Sequence, residues 1–115
     1  MPISSKYLFI ASMNVDQDKE ALYNELYDKE HIPFLLTVPS IRSATRFKMR
    51  ELTMLIGGER RVMRFEKEPK YHTLYELESP DALVSEAFAK ANEMGRWPQG
   101  VRPYTKNRRH ILMER

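Results

Sequence analysis

The chain has 115 residues, no cysteine, and 19 basic against 16 acidic residues, for a formal net charge of +3. This length makes one domain, residues 1–115, with a single core and little room for a ligand cavity unless a partner supplies part of the wall. The composition excludes disulfides and thiolate metal sites, and the interspersed charge argues against a nucleic-acid surface despite the Arg60-Arg61 and Arg108-Arg109 pairs.

Met1-Pro2-Ile3-Ser4-Ser5-Lys6 has no signal-peptide pattern, and no apolar run approaches a membrane span, so a soluble cytoplasmic protein is expected. Tyr7 to Met13 is a dense apolar run that reads as a strand. Asp16 is placed to cap the helix that follows, with Leu22 and Leu26 on one face and Tyr23, Tyr27 and His31 on the adjacent one. Pro33 lacks an N–H and its ring clashes with the preceding turn, so this helix should finish near Ile32. That would leave His31 at a helix terminus, in polar and partly open surroundings.

Alternation after Pro39 puts Ile41, Phe47 and Met49 on one strand face and Arg42, Ala44, Arg46 and Lys48 on the other. Residues 51–70 read as a hairpin around Gly57-Gly58. Tyr71 to Leu77 is a strand with Tyr71, Thr73, Tyr75 and Leu77 on one face. Ser79, Pro80 and Asp81 mark a helix start, Leu83, Ala87, Ala91 and Met94 its buried stripe, and Gly95 its left-handed end. Arg96 to Tyr104 reads as loop and Arg108 to Met113 as a final strand. The order is that of an α+β, ferredoxin-like βαββαβ fold, with two helices over one face of an antiparallel sheet. The opposite face would then need cover, most simply by a second copy of the chain.

Two segments carry a family resemblance. Glu30-His31-Ile32-Pro33, followed by Val38-Pro39-Ser40-Ile41-Arg42-Ser43-Ala44-Thr45-Arg46-Phe47, resembles EthD-like proteins of the dimeric α/β-barrel superfamily, and so does Leu74-Tyr75-Glu76-Leu77-Glu78-Ser79-Pro80. Where that family has glycine after the second turn proline, this chain has Ser40. The resemblance implies a homodimer and a pocket, in a superfamily of monooxygenases, dehydratases, isomerases, haem proteins and proteins without known activity. It implies a reaction only weakly.

The candidate chemistry centres on His31. It is either a general acid or base for a small organic substrate, or a helix-end residue bonded to a terminal carbonyl. Tyr27 and Tyr75 either offer phenol hydroxyls to a ligand or form the edge of the core, and Tyr23 reads as core edge. Arg46 is a candidate for holding a carboxylate, against a solvated strand face. Trp97 either closes a pocket mouth or anchors its loop. His72 and His110 read as surface. No metal is expected, because the three histidines are scattered and the adjacent Glu30 and His31 point about 100° apart on a helix. No cofactor is expected either, although the superfamily resemblance admits a haem with His31 as its axial ligand. Two functions follow: a cofactor-independent enzyme acting on an aromatic or polyketide-like acid or ketone, or a non-catalytic homodimer that binds an apolar ligand or is purely structural.

Overall fold

The centre of the molecule is a pair of antiparallel strands, β1 (Tyr7–Val15) and β5 (Tyr71–Leu77), in the computed structural model, which describes residues 3–115. Strand β2 (Ile41–Lys48) flanks β5 and β6 (Thr105–Glu114) flanks β1, so the order across the sheet is β2-β5-β1-β6 with every neighbouring pair antiparallel. The fold is mixed α+β. No helix among the described residues is long and apolar enough to cross a membrane.

Period-two alternation decides which side chains meet the helices. Tyr71, Thr73, Tyr75 and Leu77 are all buried, as are Ala11 and Met13 opposite them on β1. They form one core with Tyr23, Leu26, Tyr27, Leu35, Ala82, Ala91, Trp97 and Val101 from the helical segments. The other sheet face carries Leu8, Ile10, Leu74, Phe47, Ile111 and Met113, with Phe47, Ile111 and Met113 about half exposed. At its centre the Ser12 hydroxyl lies 2.6 Å from His72 Nδ1, and His72 Nε2 lies 2.9 Å from the Pro69 carbonyl. A carbonyl only accepts, so Nε2 carries a proton and donates it to Pro69. His72 is therefore a half-buried, hydrogen-bonded residue rather than a surface one.

The first helical stretch departs from expectation at Pro33. Helix α1 (Glu20–Leu26) widens into a π turn over Tyr27–His31, in which the Ile32 N–H donates to the Tyr27 carbonyl. Helix α2 (Ile32–Leu35) then follows without a break, with Pro33 in its first turn, where a missing N–H costs nothing. The wide turn absorbs the donor that proline cannot supply, so the chain does not stop at Ile32. His31 lies inside a continuous helical run and is buried, not exposed at an end. Asp16 precedes a single 3-10 turn but caps nothing with its side chain, since its carboxylate accepts from Lys106 at 3.0 Å.

Three other differences have local causes. A bulge between Ile41 and Ser43 shifts the register of β2, so Ile41 joins Ala44 and Arg46 on the helix side and Phe47 faces the opposite way. The second helix is split: Ser79 caps a 3-10 turn (Pro80–Val84), and Ser85, in extended geometry, caps α3 (Glu86–Ala91) by accepting from the Phe88 N–H at 3.1 Å. The restart changes the helical phase, so Ala82, Leu83, Phe88 and Ala91 face inward while Ala87 and Met94 are exposed. The segment expected as loop contains a helical turn, α4 (Trp97–Gly100), and a 3-10 turn (Arg102–Tyr104). Strands β3 (Leu52–Ile56) and β4 (Glu59–Met63) form a separate hairpin, turned by Gly57 and Gly58 at φ of 60° and 80°. Two consecutive left-handed residues are what a two-residue hairpin loop demands.

Ser40 has φ of 79° in the turn entering β2. A side chain is strained in this region and glycine is not, at a cost of about 1–2 kcal/mol. Ser40→Gly should therefore raise stability by up to about 1 kcal/mol after the added freedom of the unfolded chain is discounted. A denaturation midpoint that falls on this substitution would contradict the strain.

Candidate functional site

One side of the site is an aromatic wall built by helical spacing. Tyr23, Tyr27 and His31 follow each other up the first helical stretch, with ring centroids 5.4 Å apart for Tyr23 and Tyr27 and 5.1 Å apart for Tyr27 and His31. The Trp97 indole closes this wall. It stacks on the His31 imidazole at 4.3 Å and 17° and meets Tyr27 edge-on at 5.0 Å. The Tyr27 hydroxyl lies 3.1 Å from the Tyr75 hydroxyl, which ties the helix to the sheet. Burial pushes both phenol pKa values upward, so both stay protonated.

The loop carrying Trp97 is set by Gly95 and Glu30. Gly95 turns at φ of 73°, and a Cβ there would lie 2.7 Å from Glu30 Oε1 and 2.8 Å from Phe34. The same Glu30 carboxylate accepts from the Arg96 backbone N–H at 3.0 Å and from its guanidinium at 2.6 and 2.8 Å. These bonds hold the Glu30 carboxyl below its usual range. Glu30 and His31 thus divide the work of adjacent helix positions: one pins the loop outside, the other receives its tryptophan inside.

A cavity of about 250 Å³ opens between this wall and the sheet. Phe9, Ala11, Met13, Ile41 and Tyr75 line it from the strands, and Tyr27, His31, Leu35, Leu83, Phe88 and Trp97 from the helical side. Asn92, Arg102, Thr105, Arg108 and His110 complete it at the β6 side. Such a mostly apolar space with few polar groups is the usual composition of a small-molecule site.

His31 is buried in the wall beside the Tyr27 and Tyr75 hydroxyls, only 5% exposed. Its Nδ1 is sealed from solvent and has no hydrogen-bond partner among the described residues. Burial lowers its pKa from 6.5 to about 4, the nearby Arg102 guanidinium adds to the effect, and Glu93 opposes it. The imidazole is therefore neutral at pH 7, with one nitrogen able to accept a hydrogen bond and the other able to donate one. An unpaired buried polar atom costs about 1–3 kcal/mol, which is why nearly all are satisfied in folded proteins.

Four of the residues singled out by sequence, His31, Tyr27, Tyr75 and Trp97, line this one cavity. Arg46 does not. Its guanidinium lies over the Tyr27 ring at 4.7 Å and is occupied by Asp28 Oδ1 at 3.0 Å and Asn24 Oδ1 at 2.8 Å. It braces the outer side of the tyrosine row and has no free fork for a substrate carboxylate. Tyr23, expected as core edge, is fully enclosed between Tyr27, Tyr71 and Trp97. His110 is exposed, as expected, and also borders the cavity, stacking on Phe9 at 5.9 Å. Arg102, Arg108, Phe9 and Phe88 were also missed. The alternation of β6 against Ala11 was an available signal for both His110 and Arg108, which stand two residues apart on one face.

Among the described residues, no group of three His, Asp or Glu side chains is placed to hold a metal ion. A haem on His31 does not fit. The cavity is below the roughly 300–1,000 Å³ of drug-sized ligand sites, and Trp97 covers one imidazole face at 4.3 Å. Neither a protein-family model nor a curated protein matches the chain.

The depressed His31 pKa has a consequence for stability. Between pH 6.5 and 4 the unfolded chain takes up a proton that the folded chain refuses, so stability is complete above pH 6.5 and declines as the pH falls through this window. Between pH 7 and pH 5 the loss assigned to this residue is about 2 kcal/mol. Urea denaturation of the native protein and of His31→Gln should show a shallower pH dependence for the variant by that amount. Identical slopes would contradict the burial of a neutral imidazole.

Proposed function

We propose that the chain has a ferredoxin-like βαββαβ fold, pairs as a dimeric α/β barrel, and binds a small, flat, apolar or aromatic molecule in its helix-side cavity, with His31 meeting a polar atom of that molecule. The observation that carries the ligand reading is the neutral, buried His31 imidazole in the wall of a mostly apolar cavity whose charged groups lie at its β6 side. A ligand that offers one hydrogen-bonding group against His31 and a flat body against Phe9, Tyr75 and Trp97 would satisfy both features.

The fold reading is supported by the β2-β5-β1-β6 strand order and by the helical segments joining β1 to β2 and β5 to β6. On this reading the β3–β4 hairpin is an insertion between the second and third strands of the repeat. The pairing is supported by Leu8, Ile10, Leu74, Phe47, Ile111 and Met113, a contiguous apolar face that the chain's own helices do not cover.

Catalysis by His31 is the second reading, and the same pKa bears on it. A neutral imidazole is available at pH 7 as a proton acceptor, so no cofactor is needed for acid–base chemistry on an organic acid or ketone. A base with a pKa of about 4 is weak, however. It becomes effective only if a bound anion raises that value. Ligand binding is therefore the primary function proposed, and turnover would depend on the charge of the ligand.

Two measurements test these readings. A panel of small aromatic acids and ketones should raise the melting temperature of the native protein, by the equivalent of about 2.7 kcal/mol for a ligand at one hundred times its Kd. His31→Ala should lose that rise and remain folded. No rise with any member, or a rise unchanged in His31→Ala, would contradict the site. Light scattering should give twice the 13.7 kDa chain mass at micromolar concentration, where an interface of standard size persists. Phe47→Glu should shift the protein toward monomer, and a native monomer would contradict the pairing.

A further inference from the structure

The charged groups that line the cavity are all of one sign. Arg102 and Arg108 line it, and no aspartate or glutamate does. The two guanidinium groups differ in what they already hold. Arg102 is committed: it donates to Glu93 at 2.7 and 2.8 Å and to the Asn92 carbonyl at 2.7 Å. Arg108 takes part in none of the ion pairs among the described residues, where its neighbour Arg109 is held by Glu68 at 2.6 Å.

The backbone explains why these neighbours diverge. Asn107 takes φ of 52°, and the register of β6 against β1 skips between Ser12 and Asn14. Beyond that irregularity Arg109 pairs with Ser12 and His110 with Ala11, on opposite sheet faces. Arg108, next to the irregularity and two residues before His110, shares the cavity face with it. His110 is stacked on Phe9, and burial together with the Arg108 charge lowers its pKa. It is therefore an uncharged hydrogen-bonding group next to a free guanidinium.

We infer that the ligand is a small organic anion, a carboxylate on an aromatic or apolar body, and that Arg108 is the residue that receives its carboxylate. This rests on the ligand-binding reading above and gives it a substrate class. A guanidinium presents paired N–H donors in a plane that matches a carboxylate, and Arg108 is the lining residue with that fork unoccupied. The apolar body extends inward over Phe9, Tyr75 and Trp97, toward His31. Charge recognition sits at the β6 side of the cavity and shape recognition in its depth. The anion role that sequence alone suggested for Arg46 thus belongs to a different arginine.

Trp97 is the single tryptophan of the chain and part of the cavity wall, so its fluorescence reports occupancy. The test titrates the native protein with benzoate, phenylacetate and 3-phenylpropanoate and with the three corresponding neutral amides. At least one acid should bind about tenfold or more tightly than its amide, as expected for a charged hydrogen bond. Arg108→Gln should abolish that preference and leave amide affinity unchanged, while Arg109→Gln should keep the preference. Equal binding of acids and amides would overturn the anion assignment and leave the ligand cavity standing, and an acid preference that survives Arg108→Gln would overturn the assignment of Arg108 as its receiver. Failure of all six compounds to bind would overturn the assignment together with the ligand reading itself.

Discussion

The face-to-face contact between His31 and Trp97 organises the site. It brings the helical stretch before β2 against the turn before β6, two segments far apart in sequence. It also removes the imidazole from water, which lowers its pKa and keeps it neutral. Neither residue reaches this position alone. Trp97 is delivered by a loop that Gly95 bends and Glu30 anchors through Arg96. His31 is delivered by a helix whose other tyrosines are already fixed to the sheet and to each other. A Cβ at Gly95 would strike Glu30 and Phe34, so the glycine and the cavity wall are coupled through a single carboxylate.

The π turn at Tyr27–His31 is the second element of this arrangement. Proline inside a helix normally removes a hydrogen bond and kinks the axis. Here the backbone widens by one residue just before Pro33, and the helix runs on to Leu35. The widened turn holds both Tyr27 and His31, two cavity-lining residues with polar atoms. Turns of this kind recur at functional sites. In this chain the reason is local: the residue that forces the widening is two positions from the one that the cavity uses.

Much of the architecture could be read from pattern. The alternation of Tyr71 to Leu77, the Gly57-Gly58 turn and the Ser79 cap each follow from local chemistry and are found where that chemistry places them, whereas Gly95 is left-handed as expected but lies beyond the end of α3 at Ala91. The spacing of Tyr27 and His31 also put them on one face correctly. What could not be read were positions where one inserted residue changes the phase. The bulge after Ile41 moves that side chain to the helix side, Ser85 restarts a helix that looked continuous, and the irregularity at Asn107 shifts the phase of Thr105 and Lys106 against β1. Apolar periodicity carries no signal for such steps, because they are set by hydrogen bonds, local at Ser85, which accepts from the Phe88 N–H, and distant at Asn107, whose amide donates to the Lys67 carbonyl. Arg46 failed for a related reason: its partners Asp28 and Asn24 lie on another element.

The account rests on His31 being buried and neutral against Trp97, and the imidazole can be observed directly. An NMR titration of the histidine side chains, with His31 assigned by comparison with His31→Gln, should show it uncharged down to pH 5 and titrating near pH 4. Trp97→Leu, which uncovers one face of the ring, should bring the midpoint back toward 6.5. A native His31 that titrates near 6.5, unmoved by loss of the indole, would mean that the ring is open to water and that the site has been misread.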